Sequence, residues 1–177
     1  MTIMLQLSAS LLNRPVVSLR TSGEIATVES AIINPNNLKI EGFYCNDKFS
    51  RQRLVLLTQD IRDNIKQGII VNDHDVLTDP EELIRLKSIL DLQFDLIGKP
   101  VETVSKHKVG KINDFAVDDQ TLYIQKLYTG PSIIKSLTSG QLSIDRNQIV
   151  EITNNRIVIN DLEKTIKGGM PATAPAV

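Results

Sequence analysis

The chain has 177 residues, 41% hydrophobic and 23% charged, with a formal net charge of −1. This balance excludes a disordered or fibrous chain and gives no electrostatic pull toward nucleic acid or an anionic membrane. The single Cys45, with no Cys/His cluster around it, excludes an intramolecular disulfide framework and a zinc module, and a reducing, cytoplasmic compartment is the simplest expectation.

The opening MTIMLQLSASLL lacks the basic residues of a signal peptide and is broken by Gln6, Ser8 and Ser10. No stretch approaches the ~20 apolar residues of a spanning helix, so no membrane insertion is expected. A Pro-Val strand follows in LNRPVVSL, residues 12–19, and then a long alternating run, IATVESAIINPNNLKIEGFY, residues 25–44. Its polar centre, Asn34-Pro35-Asn36-Asn37, is a hairpin signal. Leu54, Leu56 and Ile61 lie in further short strands, and DNIKQGIIVND, residues 63–73, predicts a last hairpin turning at Gln67-Gly68 with a positive φ.

The segment TDPEELIRLKSILDLQF, residues 78–94, predicts one helix. Thr78 or Asp79 caps it, Pro80 suits its first position, and Glu81 and Glu82 meet the positive end of the dipole. Leu83, Leu86, Leu90 and Phe94 form an apolar stripe, widened by Ile84 and Ile89, which must be buried against something.

After this helix the first half is spelled again. IGKPVETV, residues 97–104, repeats the Pro-Val strand at an offset of 85, and VGKINDFAVDDQTLYIQKLY, residues 109–128, repeats the hairpin at an offset of 84. Leu142, Ile144 and Ile149 match Leu54, Leu56 and Ile61 at an offset of 88, and EITNNRIVIND matches DNIKQGIIVND, with its turn at Asn154-Asn155. Each copy reads as about five or six short strands with turns roughly every 8–12 residues, the pattern of a small antiparallel barrel. The unbroken apolar IIV and IVI, ending in Asn-Asp, predict a last strand covered on both faces. The final KGGMPATAPAV has no periodicity and reads as a disordered tail.

This pattern resembles the PRC-barrel family, named from the cytoplasmic domain of the reaction-centre H subunit. The resemblance rests on LLNRPVVSL and LIGKPVETV, on VGKINDFAVD at residues 109–118, on the hairpins into LKI and LYI, and on LSIDRNQIVEI. The first copy departs from it, with Ala26 where the second has Gly110 and Ser30 where it has Asp114. The resemblance implies a non-enzymatic module that docks on a protein, as in a ribosome maturation factor and in archaeal cell-division proteins.

The chemistry-bearing residues weigh the same way. His74 and His107 stand at turns without a nucleophile at a motif spacing, and Cys45 reads as a half-buried structural residue. Asp73 with Asp75, and Asp118 with Asp119, read as turn-formers rather than calcium ligands. Lys106, His107, Lys108 and Lys111, and separately Lys48, Arg51 and Arg53, read as solvated clusters. Ile133, Ile134 and Leu137 follow Tyr128 at helical spacing and read as a plug for one barrel end or, functionally, as a docking patch.

The expected fold is therefore all-β with a linker helix: two PRC-type antiparallel barrels at residues 1–77 and 95–166, a helix at 78–94 and a tail at 167–177. The expected function is an adaptor for a ribosomal, cell-division or membrane-complex protein, with an RNA- or ribosome-associated maturation factor as the alternative. Tyr44, Tyr128, Ile133, Ile134 and Leu137 are the partner-binding candidates. No catalytic, metal or cofactor site and no direct nucleic-acid contact is expected, and a homodimer is left open.

Overall fold

The fold was obtained as a computed structural model, which describes residues 2–130 and 142–162. The expected plug at 133–137 and the tail lie outside these residues. The fold is mostly β, in two sheets. After β1 (Leu5–Leu7), the first sheet takes β2 (Pro15–Ser18), β3 (Glu24–Asn34), β4 (Lys39–Asp47), β5 (Arg53–Leu57), β6 (Ile61–Ile65), β7 (Gly68–Val71) and β8 (Leu77–Thr78), in the order β6-β7-β2-β3-β4-β5-β8. The second takes β9 (Pro100–Thr103), β10 (Lys108–Asp118), β11 (Ile124–Thr129), β12 (Leu142–Asp145), β13 (Ile149–Ile152) and β14 (Ile157–Ile159), in the order β12-β11-β10-β9-β14-β13.

The two orders are the same once β8 is set aside, so the sequence repeat is a repeat of topology. One pair in each sheet is parallel rather than antiparallel: β7 on β2, and β14 on β9. Each last strand thereby sits inside its sheet, with a neighbour on either side. That position explains the two apolar phrases, since Ile69, Val71, Ile157 and Ile159 are all buried. Among the described residues the end strands of each sheet share no ladder, so backbone pairing closes neither sheet into the expected barrel.

The first residues cross between the halves. Although they precede the first copy in the chain, Leu5–Leu7 pair antiparallel with β10 of the second sheet, Leu5 opposite Asp118 and Leu7 opposite Ala116. Asp114 fixes the crossing by accepting bonds from the backbone N–H of Ser8, at 3.1 Å, and from its hydroxyl. The segment before the second copy does the converse, and its helix lies against β3. Leu11 and Leu96, one at the end of each crossing, are both fully buried.

The linker is not the single helix expected. Two 3-10 turns, Pro80–Glu82 and Ile84–Leu86, precede a six-residue helix α1 (Lys87–Leu92). Asp79 caps the first turn through a bond from Glu81 N–H at 2.9 Å, Leu83 breaks the helical path at φ −85°, ψ 66°, and Gln93 ends α1 in the left-handed region. A short isolated helix gains little by itself, and packing decides its course. Here the bent path half-buries Leu83, Leu86, Leu90 and Phe94, packs Phe94 against the core and leaves Ile84 at 82% exposure.

The core is one cluster. Buried side chains of both halves belong to it, among them Val16, Phe43 and Ile69 from the first and Val101, Phe115 and Ile157 from the second. Glycine is required at Gly68, where a Cβ would stand 2.6 Å from the carbonyl oxygen of Pro15, rather than for the positive φ expected there.

Candidate functional site

The tips of the two long hairpins meet between the sheets. Leu38 and Leu122, equivalent residues, both have positive φ, 54° and 59°, a region that costs most side chains about 1 kcal/mol or more. Asn or Gly would be the ordinary choice, and the polar turn residues Asn36 and Asn37 were the natural candidates. Leucine stands there because its side chain is buried in the shared core and its carbonyl is turned outward to the other half. An isolated bridge between Lys39 and Tyr123 completes the seam.

Arg146 bolts the seam on one side. It opens the 3-10 turn Arg146–Gln148, and its guanidinium donates to the carbonyl of Ile124 in its own half at 3.1 Å and to that of Asn37 in the other. The group lies over the Tyr123 ring, 5.1 Å from its centroid, and the Lys39 ammonium approaches the same ring at 5.7 Å. On the other side of the seam a cleft of about 290 Å³ opens, lined by Lys39, Glu41, Thr58, Leu86, Thr121 and Leu122 among others.

The partner-binding candidates are not gathered there. Tyr44 stands in β4, half-buried beneath the Arg53 guanidinium at 3.7 Å, and Tyr128 stands in β11 opposite Asp114 and Ser143. They occupy equivalent registers in different sheets. Ile133, Ile134 and Leu137 lie outside the described residues.

The polar groups weighed as chemistry are tied into turns and clamps. His74 Nε2 is 2.7 Å from Asp47 Oδ1, and Ser50 donates its hydroxyl to the other carboxylate oxygen of Asp47 at 2.5 Å. The serine thus bonds the acid and not the imidazole, so no Ser-His relay is formed. This clamp joins the β4–β5 turn to the turn after β7, with the Phe49 ring edge-on to His74 at 5.4 Å. Burial pushes the Asp47 carboxyl up, but the bonds from Ser50 and His74 outweigh it and bring it down to about 2.

Burial pushes the Cys45 thiol up to about 12, so it carries no thiolate at neutral pH, and the residue is fully buried rather than half-buried. Asp73 and Asp161 close the same loop in the two halves. Asp73 accepts from Arg20 at 2.7 Å and from Ser18, and Asp161 accepts from the Ser105 hydroxyl at 2.6 Å. Both carboxyls are held below their ordinary range, first by those side-chain bonds. Asp118 accepts from the N–H groups of Gln120 and Thr121. No group of three or more His, Cys, Asp or Glu suited to a metal occurs among the described residues. Nor is any described helix long and apolar enough to cross a membrane.

Compared with known proteins, the chain matches no family model and no curated sequence. Among the described residues the serine hydroxyls of Ser8, Ser50 and Ser105 are bonded to carboxylates, and neither histidine ring receives a serine or cysteine.

Proposed function

We propose that the chain is a non-catalytic adaptor, built of two PRC-barrel-type units, that docks on a protein partner in a reducing, cytoplasmic setting. The observation that supports this most is the fusion of the halves around one core, with each hairpin tip bonded to the other. A fused pair offers a partner one composite face of fixed geometry, so little ordering entropy is spent on docking. The PRC-type reading draws on the common strand order of the two sheets and on the repeated Pro-Val strands.

Exposed apolar side chains recur at equivalent positions of the two copies and are the candidate contacts. Leu12 and Ile97 are each 42% exposed, and Leu19 and Val104 are 56% and 54% exposed. Side chains that are left in water in both copies are not needed by either core, and a protein partner would cover them.

Affinity capture from the native cell, with and without nuclease, tests the reading. A protein retained after nuclease by the wild type and lost by Leu19→Asp with Val104→Asp, at unchanged stability, is the expected result. Retention that vanishes with nuclease would replace the adaptor by the RNA-associated alternative.

A further inference from the structure

The seam is reciprocal in its backbone and unequal in its side chains. The 3-10 turn Thr58–Asp60 follows β5 as Arg146–Gln148 follows β12, at the offset of 88 that also relates Leu56 to Ile144. Thr58 is therefore the counterpart of Arg146. The two carbonyls that receive the Arg146 guanidinium, those of Ile124 and Asn37, have as counterparts the carbonyls of Ile40 and Thr121.

Thr58 cannot bridge them. Its hydroxyl is spent on the carbonyl of Glu41 at 3.2 Å, and the cleft of about 290 Å³ opens beside it, with Thr121 and Leu122 in its wall. The cleft occupies, on one side of the seam, the place that an arginine side chain fills on the other. Two features suit it to a cation from outside. Glu41 stands where the second half has Gln125, adding a carboxylate, and one of its oxygens already accepts from Asn34 at 3.0 Å. Leu57, Leu86 and Leu122 supply apolar wall for the methylenes of a long side chain. Lys39 also lines the cleft, but its ammonium lies over the Tyr123 ring.

We propose that this cleft accepts the arginine side chain of a partner polypeptide, its guanidinium directed to Glu41 and to the carbonyl of Thr121. A planar fork of donors suits a carboxylate beside a carbonyl, whereas an ammonium is a point charge without that fit. The source of the arginine rests on the adaptor reading; the fit of the cleft to a guanidinium does not.

The test titrates the full chain with N-acetyl-arginine methylamide, followed by backbone amide NMR, beside the lysine and citrulline analogues. The expected result is saturable shifts at Glu41, Thr58, Thr121 and Leu122, with the lysine and citrulline analogues at least about tenfold weaker, as loss of one charge-assisted bond implies. Glu41→Gln weakens the arginine analogue by about tenfold on the same ground. Thr58→Arg abolishes its binding, because the new side chain fills the cleft from within as Arg146 does opposite. Absence of saturable shifts, equal response to lysine, or unchanged affinity in Glu41→Gln overturns the proposal. If the analogue binds while a captured partner is retained equally by Thr58→Arg and wild type, the polypeptide source is overturned and the adaptor reading stands. If no partner is captured while the analogue still binds and Glu41→Gln weakens it, the adaptor reading fails and the guanidinium fit is supported.

Discussion

Leu38 and Leu122 each lend a carbonyl to the other half: Ile40 donates its N–H to Leu122 O at 2.9 Å, and Ile124 donates to Leu38 O at 2.8 Å. Such an exchange between equivalent residues is the isologous contact of a twofold dimer, realised here within one chain. Because both leucines are also buried in the common core, the halves should unfold together. Leu122→Ala should cost about 2–5 kcal/mol, with a single denaturant transition retained. Two separated transitions, or loss of exchange protection confined to the second sheet, would show that the seam does not couple the halves.

Arg146 supplies the seam with its cross-half side-chain bond to Asn37. Arg146→Ala strips a donor from two carbonyls and should destabilise by about 1.5–3 kcal/mol, the range for hydrogen bonds to charged groups. Arg146→Lys should recover less than half, since one ammonium cannot reproduce the forked geometry. Denaturant midpoints of the three proteins at equal m-value decide this, and a lysine variant as stable as wild type would count against it.

The sequence carried the strand inventory well because the pattern that makes a strand is local. Offsets of 84, 85 and 88 put equivalent strands in register, and these strands pair in the same order in both sheets. Contacts between the halves were illegible for the opposite reason. Nothing near Leu38 announces that its carbonyl will meet a residue 86 positions away, and a leucine at positive φ contradicts the local rule that favours Asn37. The linker stripe is legible as apolar, but helix length depends on what the stripe packs against, and that is set by residues distant in the chain. The Asp47–His74 clamp likewise spans 27 positions and has no local signal.

That clamp sets an acid limit. Asp47 is held at about 2 in the folded chain, below its ordinary 3.8, so the folded state binds its proton less readily than the unfolded state. Its contribution, about 2 kcal/mol for this buried group, is complete above pH ~4 and is lost as pH falls toward ~2. Asp47→Asn should be less stable than wild type at pH 6, with the gap closing over that acid window. Parallel pH profiles for the two proteins would remove Asp47 as the cause.

Cys45 is the chain's one thiol, which makes its labelling a clean report on opening. With no exposed surface and a thiol pushed up to about 12, it should resist iodoacetamide at pH 8 until the fold opens. Labelling rates in rising denaturant should then track the global transition. Rapid modification of the native protein would reveal a local opening of β4 or β5.

The crossing of residues 5–7 gives the least intuitive expectation. These residues adjoin the first copy in the chain, yet they pair with β10, and Asp114 ties Ser8 beside them through the backbone N–H and the hydroxyl. Deleting residues 1–8 removes one edge neighbour from the end of β10, uncovering the N–H of Asp119, which bonds Met4 O at 3.0 Å. Hydrogen exchange should therefore rise at Val117 and Asp119 in the second half, while Asp118, whose N–H donates to Tyr123 O, and β2 and β3 in the adjoining first half keep their protection. Asp114→Asn retains an acceptor but loses the charge, so it should produce the same pattern to a smaller degree. The second half would then differ from the first in needing a strand from elsewhere in the chain, whereas β3 is flanked at the equivalent place by the linker. Should exchange rise instead in β2 and β3, the opening residues would be serving their neighbours in sequence, and the crossing would have no energetic consequence.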